Sequence, residues 1–188
     1  HHGGASPDEY NTPSLERVKK GFPNLEKHIE NMGKFGLERV VAINNFPADS
    51  DEEINWIIDK CATMGVKAVL SKGWEEGGEG TKDLAQAVVD AVESGKSNFK
   101  PLYDWNSPVK DKIETIAKEI YGADGVDYTA AANRGLRSIE KLGLENLPIC
   151  MAKTQKSFSD NDKLIGRPSG FKITVREFEI ASGAGFLI

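Results

Sequence analysis

The chain has 188 residues, 39% of them hydrophobic and 28% charged, a balance typical of a soluble globular protein with one large domain or two small ones. With 29 acidic against 24 basic residues the formal net charge is -5, which argues against general nucleic-acid binding because such proteins carry a basic stripe. No apolar run is long enough to cross a bilayer and no secretory signal is recognisable, so we expect a cytoplasmic protein without a membrane partner.

The first half of the chain reads as a strand, a helix and a second strand, preceded by a long helix. Ser14 is a plausible N-cap of that first helix, and Pro23 predicts a kink or a restart inside it. Residues 39–44 and 66–70 are apolar runs typical of strands buried on both faces. The helix between them predicts a right-handed βαβ unit with parallel strands.

The second half alternates helical and extended patterns. A Gly-rich loop at 73–80 precedes a helix whose predicted inner face is Leu84, Val88 and Val92. Further helices, strands at 147–152 and 171–175, and a polar loop at 157–169 are predicted in this order. The predicted fold class is therefore α/β, a parallel sheet with flanking helices in residues 1–103, plus a smaller C-terminal α/β portion in residues 104–188.

Two aromatic residues follow the two predicted parallel strands. Ligands of open α/β sheets bind beyond the carboxyl ends of the strands, and Phe46 and Trp74 lie in the loops at those ends. Their faces would suit a flat heterocycle, with Leu70 as an apolar floor. The alternative is that Trp74 only covers the core beneath a mobile loop, and the residues alone do not decide between the two.

Other polar residues are weaker candidates. The Asn44 amide offers a donor and an acceptor to a ring edge, but Asn44 equally fits a turn cap before Pro47. Lys153 follows the predicted strand 147–152 and is a candidate to bind a carboxylate; the alternative is a solvated loop lysine, as most lysines are. No catalytic residue is assigned, and no spacing predicts a metal site.

The Gly-rich loop does not fit a phosphate cradle. Gly73 and Gly78 have the spacing of a P-loop, but Glu79 stands where that motif needs lysine. Glu75, Glu76 and Glu79 would also repel phosphate. We therefore interpret the loop at 73–80, including residues 77–80, as a flexible wall of a pocket.

Eight stretches, in order along nearly the whole chain, resemble the formate–tetrahydrofolate ligases. They are HGG at 2–4, NLEKHIEN at 24–31, VVAINNFPADSDEEI at 40–54, GWEEGGEG at 73–80, NFKPLYD at 98–104, KIETIAKEIYGADGV at 112–126, LPICMAKTQ at 147–155 and GRPSGFKITVRE at 166–177. The resemblance implies a cytoplasmic homo-oligomer that joins formate to tetrahydrofolate with ATP and Mg²⁺, supported by a monovalent cation. It further implies that Phe46 and Trp74 stack a pterin or adenine ring, with Leu70 and Pro47 in the same pocket.

The sequence departs from this family in lacking the P-loop of its ATP-binding segment. We expect an internal fragment that contributes the ring-stacking side of the site, depends on that missing segment as its partner, and is inactive alone. The alternative is a non-catalytic binding or oligomerisation module of the same fold. A GTPase-like domain is disfavoured, because Asn44 is not followed by the Lys and Asp of a base-reading N-K-x-D motif.

Overall fold

A computed structural model describes residues 1–188 and divides the chain into two compact units, His1–Lys100 and Pro101–Ile188. The boundary expected from the sequence, between residues 103 and 104, lies slightly further along the chain. Each unit combines helices with a parallel strand pair, so the α/β class is confirmed. None of the helices is both long and apolar enough to span a membrane.

The first unit is a βαβ arrangement with additional helices. Strands β1 and β2 pair in parallel, from Val40 opposite Lys67 to Asn44 opposite Ser71, as the sequence predicts. The elements in order are a 3₁₀ turn at Pro7–Glu9, α1 at Leu15–Lys34, β1 at Val40–Asn44, α2 at Asp51–Thr63, β2 at Lys67–Ser71, α3 at Gly73–Glu76, a 3₁₀ turn at Glu79–Thr81, and α4 at Lys82–Glu93.

The structure revises two local expectations for this unit. Of the kink or restart predicted at Pro23, the restart does not occur, because helix α1 continues from Leu15 to Lys34. Strand β1 is only half-buried, with Ala42 and Asn44 exposed, because a sheet of two strands leaves part of its surface uncovered. The core of the unit is instead built by Phe22, Ile29, Cys61 and Val66, which pack together.

Helix α4 turns a different face inward from the predicted one. Ala87 is 1% exposed, whereas Val88 and Val92 are 47% and 74% exposed. α4 packs against β1 and β2, and a small side chain at the contact lets a helix lie close to a sheet. A prediction from side-chain hydrophobicity alone places the valines inward, and this predicted buried face of α4 is wrong.

Glu53 links the beginnings of two helices. It is the third residue of α2, and its carboxylate accepts hydrogen bonds from the Ser50 hydroxyl at 2.7 Å and the Ser50 N–H at 3.2 Å. Its other oxygen accepts the N–H of Ser14, the N-cap of α1, at 2.6 Å. Burial raises the pKa of Glu53, but these hydrogen bonds outweigh burial and hold the pKa below the ordinary 4.5.

Replacing Glu53 by Gln should therefore destabilise the first unit in a pH-dependent way. We expect a loss of about 1–2 kcal/mol at neutral pH, since an amide NH₂ cannot accept these bonds. A depressed carboxyl pKa gives stability that is complete above the unfolded value and disappears as the pH falls through the folded value. Urea unfolding across acidic pH should show the difference shrinking as pH falls. The exposed neighbour Glu52→Gln is the control, and equal effects of both variants would contradict the linkage.

The second unit holds a parallel strand pair and a short antiparallel one. Strand β3 pairs with β4 from Gly125 opposite Lys172 to Tyr128 opposite Val175. The elements in order are α5 at Val109–Thr115, a π-helix at Ile116–Tyr121, β3 at Gly125–Tyr128, α6 at Ala130–Leu142, β4 at Lys172–Val175, β5 at Ile180–Ala181 and β6 at Phe186–Leu187.

The predicted strand at 147–152 is wrong. Only Ile149 forms a bridge, with Leu187, and the pairing extends no further along this stretch. The Ile149 N–H donates to the Tyr103 hydroxyl at 3.0 Å, and the Cys150 N–H donates to the Leu187 carbonyl at 2.8 Å. Cys150 is exposed rather than buried as its apolar neighbours suggest, whereas Cys61 is fully buried.

Candidate functional site at the strand ends of the first unit

The ends of β1 and β2 bring the two candidate loops together. Ile43 lies opposite Leu70 and Asn44 opposite Ser71 in the parallel register. The Asn45 N–H then donates to the Ser71 carbonyl at 2.9 Å, which continues the pairing beyond the last strand residue. Both loops therefore start from the same edge of the sheet, the edge where ligands bind in open α/β sheets.

The loop after β1 is a tight turn closed by Asp49. The Phe46 N–H donates to the Asp49 carboxylate at 2.8 Å, and the Asp49 N–H donates back to the Phe46 carbonyl at 3.0 Å. The Asn45 side-chain amide also donates to the Phe46 carbonyl, at 3.3 Å. These bonds fix the backbone that carries the Phe46 ring. The sequence analysis did not single out Asp49, although a carboxylate three residues from its partner is a common turn signal.

The loop after β2 is formed by the short helix α3 and a 3₁₀ turn at Glu79–Thr81. α3 begins directly after Lys72, whose carbonyl accepts the N–H groups of Glu75 and Glu76 at 3.0 and 2.9 Å. The Lys72 N–H donates to the Gly80 carbonyl at 2.9 Å, which closes the loop on itself. Trp74 is thus presented on an ordered turn.

The structure places Phe46 and Trp74 side by side at this edge. Their ring centroids are 6.1 Å apart, with the ring planes inclined by 50°. Phe46 is 48% exposed and Trp74 is 73% exposed, so neither ring is part of the core. The reading in which Trp74 covers the core does not fit this exposure. We call this pair of rings the aromatic rim.

The other predicted site residues surround the aromatic rim without forming a tight cluster. Asn44 and Pro47 are exposed, and Leu70 is partly buried beside them in the strand pair. No hydrogen bond is formed by the Asn44 side chain, so it does not act as the turn cap considered from the sequence; Asp49 has that role.

Two lysines beside the loop after β2 are paired with carboxylates of that loop. Lys72 lies 3.6 Å from Glu76, and Lys82 lies 2.6 Å from Glu79, each measured between the ammonium nitrogen and a carboxylate oxygen. No group of three His, Cys, Asp or Glu residues is arranged to hold a metal ion. The loop after β2 thus carries two lysine–carboxylate pairs close in sequence to the exposed Trp74 ring.

The fold and this edge define a parallel α/β unit with exposed aromatic residues at its strand ends, the position of ligand sites in this class. The family model of formate–tetrahydrofolate ligase matches residues 1–188, the full length of the chain. The chain therefore belongs to the formate–tetrahydrofolate ligase family, and the resemblance found in the sequence is confirmed.

Proposed function

We propose that the aromatic rim holds the flat ring of tetrahydrofolate for the family's reaction, the ATP-dependent joining of formate to tetrahydrofolate. The observation that carries this proposal is the 6.1 Å approach of two exposed rings at the strand ends. Residues of this kind offer stacking surface and an apolar floor, with Leu70 beneath. The phosphate end of ATP finds no counterpart in this loop, so we assign no chemical step to it.

The distance between the rings indicates how such a ligand would fit. Nonbonded carbon atoms in contact lie about 3.5 Å apart, so a ring between two others needs about 7 Å between the outer centroids. The observed 6.1 Å requires the rings to part by about 1 Å and to become more parallel. Trp74 is the ring that moves in this proposal, because its side chain is mostly free of contacts while Asp49 fixes the backbone of Phe46.

Removing the Trp74 ring tests the proposal. Stacking on one aromatic side chain is worth about 1–3 kcal/mol, so Trp74→Ala should weaken tetrahydrofolate binding by about 5- to 150-fold. Trp74→Phe keeps a ring and should retain most of the affinity. Isothermal titration calorimetry of the purified chain measures both.

Trp105→Ala is the matched control, because Trp105 is a similarly exposed tryptophan, at 49%, in the other unit. It should bind tetrahydrofolate as the wild type does. Unchanged affinity of Trp74→Ala, or equal losses in Trp74→Ala and Trp105→Ala, would overturn the proposed role of the rim. Competition by adenosine against tetrahydrofolate would show whether the same rings also accept adenine.

A further inference from the structure

A cavity of about 520 Å³ lies within the second unit, and all its lining residues belong to that unit. It is lined by residues of β4 and by the segment 149–154, which includes most of the stretch 147–152 that was wrongly predicted to be a strand. Ile113, Ile173 and Phe178 are among its apolar lining residues, and Lys153 and Cys150 also line it. Small-molecule pockets usually measure about 300–1,000 Å³ and combine apolar walls with a few polar groups.

Two cations line this cavity: Arg176, which is exposed, and Lys153, which is partly buried. The Lys153 ammonium donates to the carbonyl of Thr154 at 2.8 Å and to the carbonyl of Ser157, and it lies 4.9 Å from the centroid of the Tyr121 ring. An ammonium has three donors, so these bonds leave one uncommitted. All the groups that contact it are neutral.

No carboxylate neutralises this cation at close range. Asp160 also lines the cavity, but its carboxylate accepts the Thr174 N–H at 3.0 Å and forms no ion pair with Lys153. Burial lowers the pKa of Lys153, against the opposing influence of Asp160, as expected for a partly buried cation without a paired anion. A cation at the wall of a mostly apolar cavity is suited to an anionic ligand.

We propose that this cavity, which we call the Lys153 cavity, binds a small organic anion with an apolar body. The acidic group accepts the free N–H of the Lys153 ammonium, and the apolar body packs against Ile113, Ile173 and Phe178. The exposed carboxylates of Glu177 and Glu179 at the same cavity disfavour a ligand with several negative charges. The site is independent of the aromatic rim and does not rest on the proposed function.

Cys150 provides a reporter for occupancy of the Lys153 cavity. It is an exposed thiol on the cavity wall, while Cys61, the other cysteine, is fully buried in the first unit. The experiment measures the rate at which iodoacetamide alkylates Cys150 in the full chain, by mass spectrometry, with increasing 2-naphthoate. A ligand in the cavity should slow the reaction in a saturable manner.

Charge and position are then tested separately. The neutral isostere 2-naphthamide should protect Cys150 with a half-saturating concentration about tenfold higher, because it lacks the charge-assisted bond. Lys153→Gln should weaken the binding of 2-naphthoate by a similar factor, whereas Lys153→Arg should retain most of it. Lys156 is an exposed lysine in the same loop, so Lys156→Gln should have no effect on binding. Trp74→Ala should leave protection unchanged, which separates this site from the aromatic rim.

Three results would overturn the proposal. They are equal protection by the acid and the amide in the wild-type chain, undiminished protection in Lys153→Gln, and loss of protection in Trp74→Ala. The comparison of acid with amide needs no variant, so it decides the matter even where Lys153→Gln is poorly folded.

Discussion

Replacing Gly80 by Ala is expected to lower the free energy of unfolding of the first unit by about 2 kcal/mol, and to weaken the binding of tetrahydrofolate at the same time. A Cβ atom at Gly80 would lie 2.6 Å from the carbonyl oxygen of Lys72 and 2.9 Å from the Cβ of Glu76. The first of these is a backbone atom, which has no side-chain rotation with which to avoid the contact.

The same contact connects stability to the site. The Lys72 carbonyl that the new methyl group would displace also accepts the N–H groups at the start of α3, the turn that carries Trp74. The Lys72 N–H in turn donates to the Gly80 carbonyl, so the two ends of the loop, at Lys72 and Gly80, would have to move apart. A shift of this turn moves the Trp74 ring away from Phe46, and binding of tetrahydrofolate should weaken with it.

Gly78→Ala is a control in the same loop. Gly78 has ordinary right-handed helical dihedrals, φ −62° and ψ −33°, and a Cβ there would meet nothing within 4 Å. Alanine at such a position reduces the freedom of the unfolded chain, so the variant should be neutral or more stable by up to about 1 kcal/mol. Urea unfolding followed by tryptophan fluorescence measures both variants. Equal stabilities of Gly80→Ala and Gly78→Ala would contradict the packing argument.

The placement of the aromatic rim follows from features that the sequence carries. Two short apolar runs joined by an amphipathic helix predict parallel pairing, and parallel pairing places the loops after the runs at one edge. Phe46 and Trp74 could be selected because they are large aromatic residues in those loops. The support from Gly80 could not, since it depends on backbone contacts with Lys72 that appear only when the loop is closed.

The errors have equally local causes. In α4 the residue at the contact is the small Ala87, so a hydrophobicity pattern prefers the exposed valines. The stretch 147–152 has the composition of a strand, but the Ile149 N–H bonds to the Tyr103 hydroxyl and the pairing with Leu187 is limited to one bridge. Tyr103 is 46 residues from Ile149 along the chain, and Leu187 is similarly distant. A local sequence pattern does not predict pairings between residues so far apart.

Lys112 should be among the residues of the second unit most sensitive to substitution. It lies in α5, its side chain is fully buried, and its ammonium donates to the carbonyls of Glu145 and Leu147 at 2.7 and 3.2 Å. These bonds hold the segment after α6 against α5. Lys112→Met keeps the length of the side chain but leaves both carbonyls without this donor, at a cost of about 3 kcal/mol.

Lys141→Met is the matched control, because Lys141 is an exposed lysine near the end of α6. A surface substitution of this kind usually changes the free energy of unfolding by less than about 0.5 kcal/mol. Thermal or urea unfolding followed by circular dichroism compares the two variants with the wild type. A loss in Lys112→Met no larger than that in Lys141→Met would show that the two carbonyls do not depend on this side chain.

Lys112 also makes the free energy of unfolding of the second unit depend on pH in the alkaline range. Burial lowers the pKa of Lys112 below its ordinary 10.5, against the carboxylates of Asp104 and Glu145, which raise it. The unfolded chain therefore holds this proton at pH values where the folded chain has lost it, and stability from this group rises with pH between the folded pKa and 10.5. A neutral amine still has hydrogen atoms to donate to the two carbonyls, so the bonds that hold the segment after α6 survive the loss of charge. The free energy of unfolding of Lys112→Met should consequently fall further below that of the wild type as the pH is raised through this window. If the difference shrinks there instead, the charged ammonium, and not the hydrogen bonds, stabilises the unit.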